Sequence, residues 1–193
     1  MASNGAEKGV LSPARLCHIV LRTTPDKFKP MVDWWENALG AHPVWENQVL
    51  CFMTYDNEHH RTAITGRPGT TPRVGDAITG SGLAHVAFAY DTLEGLTKSY
   101  RQRKALGILP SWCVDHGPTT SIYYADPDGN EMETQVDNFD TPEAATQFMN
   151  SPEFLENPLG VDFDPETLIK RLESGESEAS IKCRPNIGPR KIR

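Results

Sequence analysis

Two histidines and one glutamate are the residues of this chain whose types and positions best suit a metal: His18, His85 and Glu133. His18 lies in LCHIVLR (16–22) and His85 in LAHVAFAY (83–90), two runs that read as short strands. Glu133 lies in YYADPDGNEMET (123–134), where the DPDG turn launches a further strand with Met132 and Glu133 on opposite faces. If Glu131 and Glu133 share a face, one points inward and the other lies near the rim. A 2-His-1-carboxylate set leaves coordination positions open for a substrate and dioxygen on Fe(II). The bland alternative is a pair of core histidines and one surface glutamate. Three further residues suit proton transfer: His60 in NEHHRTAI (57–64), His116 in VDHGP (114–118) and Tyr123. Each has a plain reading too, as a solvated turn histidine, a loop histidine and a core strand tyrosine. Of the adjacent Trp34 and Trp35, at least one is expected in the core.

The elements that must position these residues come from an internal repeat. Residues 16–40 and 83–107 both open Leu-x-His followed by a β-branched residue and both close on Ala-Leu-Gly. The copies are offset by 67 residues, which places His18 and His85 at equivalent points where duplicated halves can meet across a pseudo-symmetric seam. Each copy begins with a strand (16–21; 83–90) and continues as a helix. Phe28, Met31, Val32, Trp35 and Leu39 recur at spacings of three and four in the first. Leu93, Leu96 and Tyr100 do so in the second, and Gly40 and Gly107 suit the helix stops. Three strands are expected next in each copy, at 43–46, 49–55 and 60–65, then at 111–115, 119–125 and 130–136. The expected fold is α+β, with two tandem βαβββ units forming one incomplete-barrel metal site and a short helical C-terminal tail. The boundaries are 14–66 for the first unit, 67–82 for a Gly/Pro/Thr-rich linker, 83–137 for the second unit and 138–193 for the extension. Within the extension, TPEAATQFMN and DPETLIKRLESG suit short capped helices, and the polar stretch from Ser174 suits an extended or frayed arm.

The first copy tests the metal idea. Glu133 lies 48 residues after His85, and the residue 48 after His18 is Gly66, with no carboxylate around it in ITGRPG. Three protein ligands, one from the first half and two from the second, fit an open catalytic site.

Composition narrows the function classes. The chain has 193 residues, 38% hydrophobic and 23% charged, which is ordinary for a folded domain. A net charge of −7 opposes binding to nucleic acid or an anionic membrane. No run approaches a membrane span, and MASNGAEKGV lacks the apolar region of a secretion signal. Cys17, Cys51, Cys113 and Cys183 are scattered without CxxC spacing and read as separate thiols in a reducing compartment. The expectation is a cytoplasmic protein.

LCHIVLR, LAHVAFAY and YYADPDGNEMET, set in paired βαβββ units, resemble the vicinal oxygen chelate superfamily, the glyoxalase, bleomycin-resistance and type I extradiol dioxygenase group. The resemblance spans about residues 14–137. In detail it is most similar to the biphenyl-2,3-diol 1,2-dioxygenase branch. The resemblance implies His18, His85 and Glu133 as metal ligands, His60 as the acid–base histidine and Tyr123 as the active-site tyrosine. It implies His116 as a further pocket histidine, although the chain is about two residues shorter between this histidine and the tyrosine than that branch. Val20 and Phe52 match pocket-wall positions. The implied cofactor is Fe(II), with Mn(II) as the alternative; the implied partners are a small aromatic diol and O2, and related modules often pair as homodimers. The implied reaction opens a catechol to a hydroxymuconic product. Two rival readings remain: a glyoxalase-like lyase, isomerase or epimerase, which wants a carboxylate base near the metal, and a metal-free binding module, which needs no triad.

Overall fold

The computed structural model describes residues 9–75 and 80–190. Residues 1–8, which open the stretch read against a secretion signal, lie outside it, as do residues 76–79 of the expected linker and the closing KIR. The chain divides into two compact units, the first ending at Pro72 and the second beginning at Arg73.

The first unit runs β1 (Ile19–Arg22), α1 (Phe28–Leu39), β2 (His42–Glu46), β3 (Leu50–Thr54) and β4 (Thr62–Thr65). Its sheet has the order β1-β4-β3-β2, with β1 parallel to β4 and the other pairs antiparallel. A single 3-10 turn, Pro25–Lys27, leads into α1, as the fixed φ of proline favours at a helix entry. The helix ends at Gly40, whose φ of 63° lies in the left-handed region and lets its N–H reach the Glu36 carbonyl. Met31, Val32, Trp35 and Ala38 of α1 are buried, together with Cys51, Met53 and Ile64 of the sheet. Burying a side chain of the size of Met31 or Ile64 contributes about 1.5–3 kcal/mol. The two-residue period sends Val20 and Phe52 to the opposite face, where Val20 is exposed and Phe52 half-buried.

The second unit repeats the pattern: β5 (His85–Ala89), α2 (Leu93–Ala105), β6 (Trp112–Asp115), β7 (Thr119–Ala125) and β8 (Glu131–Asp137). The sheet order is β5-β8-β7-β6-β9, again with its first pair parallel, and β9 (Val161–Asp162) adds a fifth strand on β6. Neither the four-stranded nor the five-stranded sheet closes into a barrel among the described residues. Thr92 caps α2 by accepting from the Gly95 N–H at 3.0 Å. Leu93, Leu96 and Tyr100 are buried, as are Ile122, Tyr124, Met132 and Val136 of the sheet. Buried Arg103 is satisfied rather than stranded: it donates to Ser99 Oγ at 2.9 Å and to the Tyr90 hydroxyl at 2.8 Å, and lies 4.9 Å from the Tyr124 ring.

The C-terminal extension forms α3 (Pro142–Met149), α4 (Pro152–Glu156), α5 (Pro165–Glu173) and α6 (Glu178–Ile181). Thr141 and Asp164 cap α3 and α5, as their sequence suggested. The segment after Ser174 differs from the expected extended or frayed arm. It forms α6, buries Ile181 and sinks Arg184, which donates to the carbonyls of Asn157 (2.8 Å) and His116 (3.1 Å). One apolar residue and one buried guanidinium, whose Nη1 donates to two carbonyls, anchor a segment whose average composition is polar. Among the described residues, no helix is long and apolar enough to cross a membrane, and the four cysteines are free thiols.

Candidate active site

In the first unit the candidate residues gather on the sheet face opposite α1. His18 immediately precedes β1 and shares a side with Val20. The segment leading to it is held by Arg61, which donates to the Leu16 and Cys17 carbonyls at 3.2 and 3.1 Å and is itself fixed by Asp56 at 3.0 Å. The Ile19 N–H also donates to the Arg61 carbonyl at 3.0 Å. The His60 ring lies 4.3 Å from that of His18 and 4.8 Å from Phe52, and Trp45 stands 5.8 Å beyond Phe52. Burial, followed by the neighbouring imidazoles of His18 and His59, holds the His60 pKa below its usual value.

In the second unit, parallel pairing of β5 and β8 sets Ala87 opposite Glu133 and so carries His85 to the same face. His85 Nε2 stands 3.0 Å from Glu133 Oε2, and the Glu133 side chain is only 6% exposed. Glu131 shares this face and is half-buried nearer the edge, as the alternation required. Opposite Glu133 on β7 is Tyr123, whose ring meets His85 edge-on at 5.3 Å and stacks on Trp112 at 5.2 Å. The Tyr123 hydroxyl lies 3.0 Å from His116 Nε2, and His116 Nδ1 lies 2.7 Å from the Leu159 carbonyl. A carbonyl can only accept, so Nδ1 carries the proton and Nε2 accepts from Tyr123. Burial pushes the His116 pKa down, which keeps the ring neutral near pH 7. Burial, then the Glu133 charge, pushes the Tyr123 pKa up, so its phenol keeps its proton.

The structure thus brings His18, His60, Val20 and Phe52 together in the first unit, and His85, Glu133, Tyr123 and His116 together in the second. Within either unit, the described residues contain no cluster of three metal-ligating side chains. The registers also correct one correspondence. Val20, Ala63, Phe52 and Trp45 form a row across the first sheet; Ala87, Glu133, Tyr123 and Trp112 form the matching row of the second. The counterpart of Glu133 is therefore Ala63, not Gly66, because the hairpin of β6 and β7 is longer than that of β2 and β3. Neither residue carries a carboxylate. Sequence reasoning missed Trp45 and Trp112, although they share the 67-residue offset of the two histidines. It also missed Leu159, which acts through a backbone carbonyl and leaves no mark in side-chain pattern.

Comparison with known proteins identifies the family. Residues 15–134 match the Glyoxalase/Bleomycin resistance protein/Dioxygenase superfamily. The chain is 46% identical over 162 residues to biphenyl-2,3-diol 1,2-dioxygenase 2 of Rhodococcus globerulus, covering 83% of each chain. It is 43% identical over 171 residues to dioxygenase 3 of the same organism, covering 88% of each. Among solved structures, a glyoxalase/dioxygenase from Nostoc punctiforme shares the fold at a TM-score of 0.52 and 19% identity, with 66% of this chain and 96% of that one covered. A fosfomycin resistance protein from Listeria monocytogenes, complexed with Mn(II) and sulfate, gives 0.52 and 19%, with 72% and 100% covered. The match over more than half the chain and the identity to the two Rhodococcus proteins place this chain in the glyoxalase/bleomycin resistance/dioxygenase superfamily.

Proposed function

We propose that this protein is an extradiol dioxygenase that opens a catechol-type aromatic diol with O2, using Fe(II), with Mn(II) as the alternative ion. The observation that carries the reading is the buried Glu133 carboxylate against His85 Nε2, on the same face as the Tyr123–His116 hydrogen bond. The names of the two Rhodococcus relatives support the reaction.

The donor set fits a divalent metal. A buried carboxylate needs a cationic partner, and an imidazole nitrogen beside a carboxylate oxygen is a mixed N/O set that iron and manganese accept. His85 and Glu133 supply two ligands, and His18 enters as the third by its equivalent place in the repeat. Fe(II) held there supplies a Lewis-acidic, redox-active template for a diol and O2. Tyr123 orients the diol and receives its phenolic proton while passing its own to His116 Nε2. The paired transfer avoids a free phenolate, which burial and the Glu133 charge disfavour at Tyr123. His60, beside His18, is the second proton-handling group. Val20 and Phe52 offer apolar contact to an aromatic ring. A lyase of the same superfamily would want a second carboxylate, and Ala63 stands where the repeat would place it. The reading takes a small aromatic diol and O2 as partners, the cytoplasm as the location and a homodimer as the assembly.

Anaerobically Fe(II)-loaded protein, mixed with 2,3-dihydroxybiphenyl and then O2, tests the reading. Oxygen uptake matching a yellow ring-opened product is expected, with uptake lost in His60→Ala while iron stays bound. Iron bound tightly with no uptake across a panel of catechols refutes it.

A further inference from the structure

The C-terminal extension reaches the candidate site through more than one contact. The turn at 157–160 closes on itself: Asn157 Oδ1 accepts from the Gly160 N–H at 2.9 Å, and Asn157 Nδ2 donates to the Gly160 carbonyl at 3.1 Å. The turn presents the Leu159 carbonyl to His116 Nδ1. Gly160 has φ of 98°, and a Cβ there would meet the Asp115 carbonyl at 2.1 Å, so the turn lies hard against the backbone leading into His116. Arg184 clamps both sides, donating to the His116 and Asn157 carbonyls, with its guanidinium 5.2 Å from the Phe148 ring. Two residues on, Asp162 Oδ1 accepts from Trp112 Nε1–H at 2.6 Å and Asp162 Oδ2 accepts from Arg190 at 2.7 Å. The Arg190 guanidinium lies 5.7 Å from the Trp112 ring, which itself stacks on Tyr123.

We propose that the extension is a positioning strap for Tyr123: Leu159 sets the tautomer of His116, and Asp162 with Arg190 sets the plane of Trp112. Neutral imidazole has one proton for two nitrogens. With that proton held at Nδ1 by Leu159, Nε2 is left to accept from the Tyr123 hydroxyl. Without the strap the proton is free to move to Nε2, and Tyr123 loses His116 as an acceptor, leaving the Glu133 carboxylate to accept from its hydroxyl. The Trp112 ring, pinned through its indole N–H, limits how far the phenol swings. The catalytic consequence rests on the dioxygenase reading; the tautomer and ring positions do not.

The test compares the wild type with Gly160→Ala and with Asp162→Ala and Asp162→Asn. Imidazole 15N shifts, assigned to His116 with His116→Gln, read the tautomer in metal-free protein. The wild type is expected to be protonated on Nδ1, and Gly160→Ala to shift towards Nε2 protonation. Asp162→Ala is expected to move the Trp112 indole N–H resonance, which Asp162→Asn restores by keeping an oxygen acceptor. In iron-loaded protein with 2,3-dihydroxybiphenyl, Gly160→Ala is expected to lower kcat by about 10–100-fold, as for lost outer-shell partners, with KM and iron retention little changed. Should Gly160→Ala fail to fold, Asn157→Ala opens the same turn and takes the same readouts. A wild-type His116 protonated on Nε2 overturns the proposal, as do wild-type His116 shifts in the turn variant or an unchanged kcat. If the wild type opens no catechol, the dioxygenase reading falls, and the His116 and Trp112 resonances alone decide whether the strap positions them.

Discussion

Asp115 offers a quantitative check on the packing behind His116. It is 8% exposed, and its Oδ1 accepts from the Gly117 N–H at 2.8 Å and from Asn138 Nδ2 at 3.1 Å. Burial pushes its pKa up to about 6 from 3.8, although the Gly117 N–H, Arg184 and Asn138 all pull it down. The folded chain therefore holds this proton more tightly than the unfolded chain. Below about pH 3.8 both states are protonated and the site costs nothing. As pH rises to about 6 the unfolded state releases its proton first, folding loses stability, and the full cost persists above that. Two pKa units correspond to about 3 kcal/mol. Asp115→Asn cannot ionise yet keeps an oxygen for Gly117. Urea denaturation of both proteins from pH 4 to pH 7 should show the variant gaining about 2.5 kcal/mol on the wild type across that range, the first part of the cost having accrued below pH 4. Other titrating groups cancel in the difference. A gap equal at both ends, or one that narrows as pH rises, would show that burial does not dominate this carboxyl and would refute the argument.

Other perturbations follow from the same contacts. Trp35→Ala empties a site only 1% exposed between α1 and its sheet and should cost about 3–5 kcal/mol in denaturant unfolding; a loss below 1 would mean the core collapses around it. Gly40→Ala meets no atom within 4 Å, so only the left-handed backbone opposes it, and the melting analysis should give about 1–2 kcal/mol. Glu133→Ala should lower metal retention at least about tenfold in equilibrium dialysis while the far-UV spectrum stays unchanged; full retention would remove Glu133 from the ligand set. Arg61→Met frees the Leu16 and Cys17 carbonyls, and faster amide exchange is expected at Ile19 than in wild type.

The repeat made much of the fold legible. Two copies with matching strand starts, helix spacing and glycine stops specify βαβββ twice, because local periodicity and turn chemistry determine each element without reference to distant residues. His18 and His85 were marked by the same offset, and Glu133 by the DPDG turn that launches its strand. Strand pairing was decided elsewhere. Only the parallel pairing of β5 and β8 brings Glu133 to His85, 48 residues away in the chain, and only the longer hairpin of β6 and β7 makes Ala63 its counterpart. The extension shows the limit most clearly. The polar composition of its stretch from Ser174 suggests a loose arm, yet buried Arg184 ties that stretch to His116, as the Leu159 carbonyl ties the turn before it. Backbone carbonyls are identical at every residue, so which one meets an imidazole is set by where the chain is folded, not by the side chain it carries.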